Sequence, residues 1–145
     1  MNLVKSKVVL LPCREYNEEK IYMLLKQGLD FLGGVETLIP KDAKILLKPN
    51  LLKKAEVEKA VITHPAVVGA FARILRESGY EHIVLADSCG HGTTQSVIHG
   101  TGMDTYLEKY QIWSTYQPEQ KGVLVAYASC LLYTSPSPRD KRQSR

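Results

Sequence analysis

The sequence predicts an α/β protein with three layers, in which a mostly parallel sheet carries helices on both faces. Short apolar segments alternate along the chain with longer segments of helical period, and this alternation is typical of parallel sheets. The apolar segments lack the in-and-out alternation of half-exposed strands, which indicates that both faces of the sheet are covered. The chain has 145 residues, of which 44% are hydrophobic and 23% charged, and this composition fits one globular domain.

The first half of the chain contains two predicted strands and one predicted helix. Residues 7–11 form a β-branched and leucine-rich run, which predicts the first strand. Asn17 is a good N-cap for a helix whose apolar residues recur on one face. Gly33 and Gly34 are expected to end this helix, and residues 44–48 predict a second buried strand.

The second half of the chain repeats this pattern. Residues 50–62 carry mixed charge and predict a solvated loop or a short surface helix. Thr63-His64-Pro65 is predicted to open a helix with the proline in its first turn, where the missing N–H has no helical partner. Strands at residues 82–87 and 123–128 flank a glycine-rich stretch and a helix at residues 103–110. This order predicts a fold that is Rossmann-like in the broad sense.

The end of the chain differs from the rest. Residues 130–145 resemble the translation of a transposase-type sequencing adapter, and they show neither a helical nor a strand period. We therefore expect them to be a non-native disordered tail, and residues 1–129 to be the N-terminal part of one truncated α/β domain. The formal charge falls from +4 to +1 when the tail is removed, because the tail contains Arg139, Lys141, Arg142, Arg145 and Asp140.

This low charge argues against a nucleic-acid or membrane partner, since such binding needs clustered positive charge. No apolar run reaches the roughly 18 residues that span a bilayer. The first residues also lack the apolar core of a signal peptide. We expect a cytoplasmic protein whose cysteines stay reduced.

Polar side chains follow three of the predicted strands, at the edge where open parallel sheets bind their ligands. Lys48 comes directly after the apolar run of the second strand, so its ammonium group is expected to project from the sheet as an anion ligand. Asp87 and Ser88 follow the third strand, and Cys13 and Arg14 follow the first. Asp87 and Lys48 are the candidate catalytic residues, with Asp87 acting as a metal ligand, a general base or a hydrogen-bond acceptor.

Other candidate ligand groups lie beside these strand ends. Asn50 follows the second strand, and a turn containing Gly90 and Gly92 follows the third, where backbone N–H groups can bind phosphate or carboxylate. Ordinary structural roles stay open for all of them: a snorkelling lysine, an Asx turn at Asn50 and a flexible glycine turn. No metal site is expected, because Cys89 and His91 are too close in sequence for the usual zinc spacing.

Three segments taken together resemble an uncharacterised family known as domain of unknown function 362. The segments are Lys48-Pro49-Asn50, Thr63-His64-Pro65 and Ala86-Asp87-Ser88, and the resemblance covers most of residues 5–128. It implies a substrate site but no mechanism, because no reaction is established for the family. The residues that it implies for this site are Lys48, Asn50, Thr63, His64, Asp87 and Ser88.

Many members of that family are described as iron–sulfur proteins with ferredoxin-type cysteine runs. This sequence has three cysteines and no such run. The resemblance therefore implies no cofactor in these residues. Either a 4Fe–4S cluster and a redox partner belong with a C-terminal part that is missing here, or this member of the family lacks the cluster.

Two functions from different classes are consistent with the sequence. The first is the N-terminal part of a redox-associated protein, either an enzyme or an electron-transfer protein, that binds a small anionic substrate or cofactor at the strand ends. The second is a non-catalytic ligand-binding or scaffold domain in which the same residues only shape turns. The fold by itself does not distinguish them.

Overall fold

The computed structural model describes residues 6–87 and 89–114. The predicted strand at residues 123–128 and the predicted tail lie outside this part of the chain. The described elements follow in the order α1 (Glu18–Phe31), α2 (Val35–Leu38), β1 (Ile45–Leu47), α3 (Pro65–Glu77), β2 (Ile83–Leu85), α4 (Thr94–Gly100), α5 (Met103–Lys109) and β3 (Trp113–Ser114).

The three strands form one parallel sheet in the order β1-β2-β3. Ile45 pairs with Ile83, and Leu47 pairs with Leu85. The isoleucine and leucine of β2 are fully buried, and those of β1 are partly buried against the same core. The prediction of an α/β fold with a parallel sheet is thus confirmed.

The two faces of the sheet differ in how well they are covered. Ile45, Leu47, Ile83 and Leu85 face the core, whereas the register places Leu46, Val84 and Trp113 in one row on the opposite face. Leu46 is 53% exposed and Trp113 is 51% exposed. Within the described residues the second face is therefore only partly covered, and a complete third layer stays a prediction.

Helix α1 follows the sequence prediction closely. The side chain of Asn17 accepts a hydrogen bond from the backbone N–H of Lys20 at 3.0 Å, which caps the first turn. Gly33 has a φ of +110°, a conformation that favours glycine, and it follows the end of the helix. Helix α1 packs along α3, where Arg73 binds Glu19 at 2.6 Å.

Helix α3 forms the centre of the core. Eight of its residues are buried, including Val68, Ala70 and Leu75, because its small side chains allow neighbouring helices to approach closely. The helices approach most closely at Gly69, since a Cβ atom added there would lie 2.1 Å from Cδ1 of Tyr106 on α5. The ring of Tyr106 therefore occupies the space that a larger residue at position 69 would fill.

Residues 7–11 do not join the sheet, so the prediction of a strand there is wrong for this conformation of the chain. They have no regular secondary structure and lie beside α1, where Leu11 and Val9 approach Gly28. Val8 and Leu10 are 87% and 93% exposed. Exposed and partly buried residues alternate along the segment, as they do in a strand. Within the described part of the chain, however, no neighbouring strand forms backbone hydrogen bonds with it.

Three short elements were not predicted from the sequence: helices α2 and α4 and strand β3. Helix α4 lies inside the glycine-rich stretch, where Thr93 and Ser96 form a reciprocal capping box. Strand β3 has only two residues, which is too short to show a period. In the loop at residues 50–62, a single 3-10 turn at Val57–Lys59 is observed.

Candidate anion-binding site

The carboxyl ends of β1 and β2 bring Lys48 and Asp87 together. The Nζ atom of Lys48 lies 2.6 Å from Oδ1 of Asp87. The Asp87 side chain is 7% exposed, whereas that of Lys48 is 52% exposed. The carboxylate therefore lies beneath the surface, whereas about half of the Lys48 side chain is open to solvent.

Both carboxylate oxygens of Asp87 accept hydrogen bonds. Oδ1 accepts from Lys48, and Oδ2 accepts from the buried backbone N–H of Leu51 at 2.8 Å. The hydroxyl of Thr94 donates to the main-chain oxygen of Asp87 at 3.2 Å. A carboxylate held from two sides is fixed in place, and this arrangement favours a positioning role for Asp87 over that of a mobile general base.

Asn50 and Thr63 close the neck of the loop that leaves β1. The backbone N–H of Asn50 donates to Oγ1 of Thr63, and its Nδ2 atom donates to the carbonyl of Val61, both at 2.9 Å. Leu51 and Ile62 form an isolated antiparallel bridge just inside this neck. These contacts give Asn50 and Thr63 a structural role next to the Lys48–Asp87 pair.

His64 caps α3 and is covered by Tyr16. Its Nδ1 atom accepts a hydrogen bond from the backbone N–H of Ala66 at 3.2 Å. The Tyr16 ring stacks on the imidazole with centroids 4.0 Å apart and an interplanar angle of 6°. Burial lowers the pKa of His64, and the nearby charge of Glu58 opposes this shift. The neutral imidazole is the form that can accept the capping hydrogen bond.

This cap predicts a pH dependence of stability. Because the folded pKa of His64 is lowered, its contribution is complete above the unfolded pKa of about 6.5 and is lost as the pH falls through the folded pKa. Urea unfolding of the wild type and His64→Asn between pH 8 and pH 5 checks this. Asparagine keeps a capping oxygen without titrating, so the variant should lose less stability than the wild type over this range. Parallel curves would contradict the assignment.

The glycine turn after β2 is partly occupied by the loop after β1. The backbone N–H of His91 donates to the carbonyl of Leu52 at 3.0 Å, so this donor is already used. A Cβ atom at Gly90 would lie 2.8 Å from Cδ1 of Leu52, so the turn and the loop are in close contact here. Gly92 has a φ of +86°, before the Thr93 cap of α4. The turn therefore supports the loop, and Ser88 lies outside the described residues.

The described residues contain no group of three or more histidine, cysteine or acidic side chains that could hold a metal ion. Cys89 is partly buried and its Sγ atom lies 3.6 Å from Oγ1 of Thr94, whereas Cys13 is exposed. The sequence has three cysteines in all, and a 4Fe–4S cluster needs four thiolate ligands. This donor set does not fit such a cluster.

The sequence did not indicate three parts of this site. They are the Leu51 N–H on Asp87, the Thr94 hydroxyl behind it and the contact of Leu52 with the glycine turn. The first and third depend on how the loop after β1 folds back across the end of β2, and the second depends on where α4 begins. Mixed charge in that loop predicted exposure but could not show which backbone groups turn inward.

The fold and the site define an α/β protein with a charged pair at the carboxyl edge of a parallel sheet. The chain belongs to the family described as "Domain of unknown function (DUF362)", which matches residues 45–130. This match includes Lys48, Asn50, Thr63, His64 and Asp87.

A curated relative is the "Thylakoid-associated protein sll1697" of Synechocystis sp. strain PCC 6803, which is 32% identical over 110 residues. These cover 76% of this chain and 34% of the relative, so the chain spans about a third of the relative's length. No solved structure matches the chain. Among the described helices, none is both long and apolar enough to cross a membrane.

Proposed function

We propose that the carboxyl edge of the sheet binds a small anionic substrate or cofactor, with Lys48 as the residue that contacts the anion. One observation carries this proposal: a half-exposed lysine side chain is paired with a buried carboxylate at the ligand-binding edge of a parallel sheet. Asp87 fixes the position of Lys48, so the cation meets an arriving anion without first losing its side-chain freedom.

The charges around the pair support an anionic ligand. Lys53 and Lys54 are exposed and follow Leu52 in the loop that covers the glycine turn. The Lys54 side chain lies over Gly100 of α4, since a Cβ atom added there would be 2.4 Å from Cε of Lys54. These lysines add positive charge to the loop that follows Lys48 in the chain, and positive charge raises the local concentration of anions.

The proposal predicts that Lys48→Met weakens the binding of inorganic phosphate by about tenfold or more, because a charge-assisted hydrogen bond contributes about 1.5–3 kcal/mol. Calorimetry on the full chain measures the dissociation constant. Lys44→Met is the matched control, since Lys44 precedes the other end of β1 and should leave binding unchanged.

Equal affinities in the wild type and Lys48→Met would overturn the proposal. If Lys48→Met is too unstable for calorimetry, thermal unfolding of the wild type provides a second measurement. Saturating phosphate should raise its melting temperature, because a ligand that binds only the folded state stabilises that state. A melting temperature that does not rise with phosphate would also overturn the proposal.

The proposed anion site belongs to a redox-associated protein, as the family resemblance implies. Since three cysteines do not fit a 4Fe–4S cluster, we place the cluster and its redox partner with segments outside these 145 residues. The cytoplasmic location stays a prediction, and the relative of this chain is described as thylakoid-associated.

The second candidate is a non-catalytic ligand-binding or scaffold domain. The specific observation in its favour is that Asn50, Thr63 and His64 all hold backbone groups in place. If the second candidate is correct, phosphate should leave the melting temperature unchanged. Substitutions at Lys48 and Asp87 should then affect only the stability of the protein.

A further inference from the structure

The edge of β1 that faces away from β2 is open within the described part of the chain. The N–H of Ile45 donates to the carbonyl of His82, and the carbonyl of Leu47 accepts from the N–H of Ala86. Because successive residues of a strand turn their backbone groups to opposite edges, the N–H and carbonyl of Leu46 point to the open edge. Leu46 is also 53% exposed. An apolar strand edge of this kind is a template for pairing with another strand.

A groove runs along this open edge and adjoins the cleft beneath residues 7–11. The groove has a volume of about 370 Å³ and is lined by Leu46 and Lys48 of the edge and by Leu25 and Val67 of the helices. The cleft has a volume of about 530 Å³ and is also lined by Leu25 and Val67. A short lateral movement of residues 7–11 would therefore carry them from the cleft into the groove.

The order of elements favours this movement. Helix α3 connects the parallel strands β1 and β2, and α1 packs beside it. If a strand before α1 lay parallel to β1 on its open edge, α1 would connect these two strands. It would then be a second crossover helix, with the same handedness as α3 and on the same face of the sheet. Residues 12–16 would be the connection, which has the length that is usual between a strand and a helix in such units.

The chain is anchored just after the segment that would move. Tyr16 is stacked on His64, Glu15 binds Lys20 at 2.7 Å, and Asn17 caps α1. Residues 7–14 precede all of these contacts. Arg14 lies next to the anchor and lines the cleft. A strand at residues 7–11 beside β1 would end next to Lys48 and place Arg14 at the same edge of the sheet.

We propose that residues 7–11 pair with the open edge of β1 when an anion binds at Lys48, and that Arg14 then joins Lys48 in holding the anion. This inference rests on the proposed function. The guanidinium group suits an anion with several oxygens, because it can donate two parallel hydrogen bonds while Lys48 donates to another oxygen. Pairing would satisfy the outward backbone groups of Leu46 and cover its side chain.

Amide hydrogen exchange of Leu46 in the full chain tests the pairing directly. Saturating inorganic phosphate should slow this exchange by about tenfold or more, because the amide gains a strand partner. The amide of Ile45 is an internal control, since it already bonds to His82. Equal exchange of Leu46 with and without bound phosphate would overturn the proposal.

Two variants test whether residues 7–11 are the strand that pairs. Val9 is partly buried towards α1, and Val8 is 87% exposed on the other side of the segment. Val9→Asp should abolish the phosphate-dependent protection of Leu46, whereas the matched control Val8→Asp should retain it. Protection that persists in Val9→Asp would show that another strand occupies the edge, and would overturn the assignment.

Arg14→Gln separates this inference from the proposed function. It should weaken phosphate binding by about fivefold or more, since one charge-assisted contact is lost. Binding that depends on Lys48 but not on Arg14, with Leu46 exchange unchanged, would overturn the inference and leave the proposed function standing. Phosphate binding that does not depend on Lys48 would overturn the proposed function itself.

Discussion

Asp87→Ala should lower the free energy of unfolding by about 3 kcal/mol, one of the two largest effects that we expect. The substitution removes a carboxylate whose side chain is 7% exposed, and leaves the buried N–H of Leu51 without its carboxylate oxygen. It also frees the loop after β1 from the end of β2. Urea unfolding of the full chain at neutral pH measures this change.

A double-mutant cycle shows how much of this effect belongs to the ion pair. Lys48→Met should cost about 1–2 kcal/mol, because a buried carboxylate loses its cation but keeps the Leu51 N–H. The double variant Lys48→Met, Asp87→Ala should cost less than the sum of the single changes, since no buried charge is then left unpaired. Additive costs, or a loss below 0.5 kcal/mol in Asp87→Ala, would contradict the described geometry.

Gly69→Ala should lower the free energy of unfolding by about 2 kcal/mol, although alanine is the better helix former. The added Cβ would lie 2.1 Å from Cδ1 and 2.8 Å from Cγ of Tyr106, too close for either residue to stay in place. Helices α3 and α5 would have to separate, which weakens the core around Leu107. Chemical denaturation of the variant provides the measurement.

Gly28→Ala in α1 is the matched control for this prediction. A Cβ atom there would lie 3.6 Å from Leu11 and 3.8 Å from Val9, which is ordinary contact. It should therefore raise stability by up to about 1 kcal/mol through helix propensity alone. Replacing Tyr106 with leucine in the Gly69→Ala background should recover part of the loss. A stabilising Gly69→Ala would contradict the close packing of α3 and α5.

Local signals in the sequence predicted the elements that carry their own start and stop residues. Helix α1 has its Asn17 cap and a glycine ending, and α3 has the predicted proline in its first turn. The apolar runs were also sufficient to predict strands β1 and β2, because each strand has one face in the core. The segment at residues 7–11 has a similar pattern but no partner in this conformation, since pairing depends on distant contacts that a local pattern does not contain.

The sequence predicted that Lys48 and Asp87 lie at the same edge of the sheet, but it did not predict the contacts around them. The rule that ligands bind at the carboxyl edge of parallel strands selected Lys48 and Asp87, and the structure places them 2.6 Å apart. It could not show that Asn50 and Thr63 bond to each other across the neck of a loop. This contact joins residues 13 positions apart. It depends on the path of the loop and not on a periodic pattern in the sequence.

A phosphate titration followed by two-dimensional amide NMR tests the central claim, which is that an anion binds where Lys48 and Asp87 meet. The described geometry predicts that the largest shifts occur at residues 48–52 and 87–91, at the carboxyl ends of β1 and β2. The amides of Lys44 and His82, at the opposite ends of these strands, should stay unchanged. Shifts centred on Lys44 and His82, or spread evenly over the exposed lysines, would contradict the account.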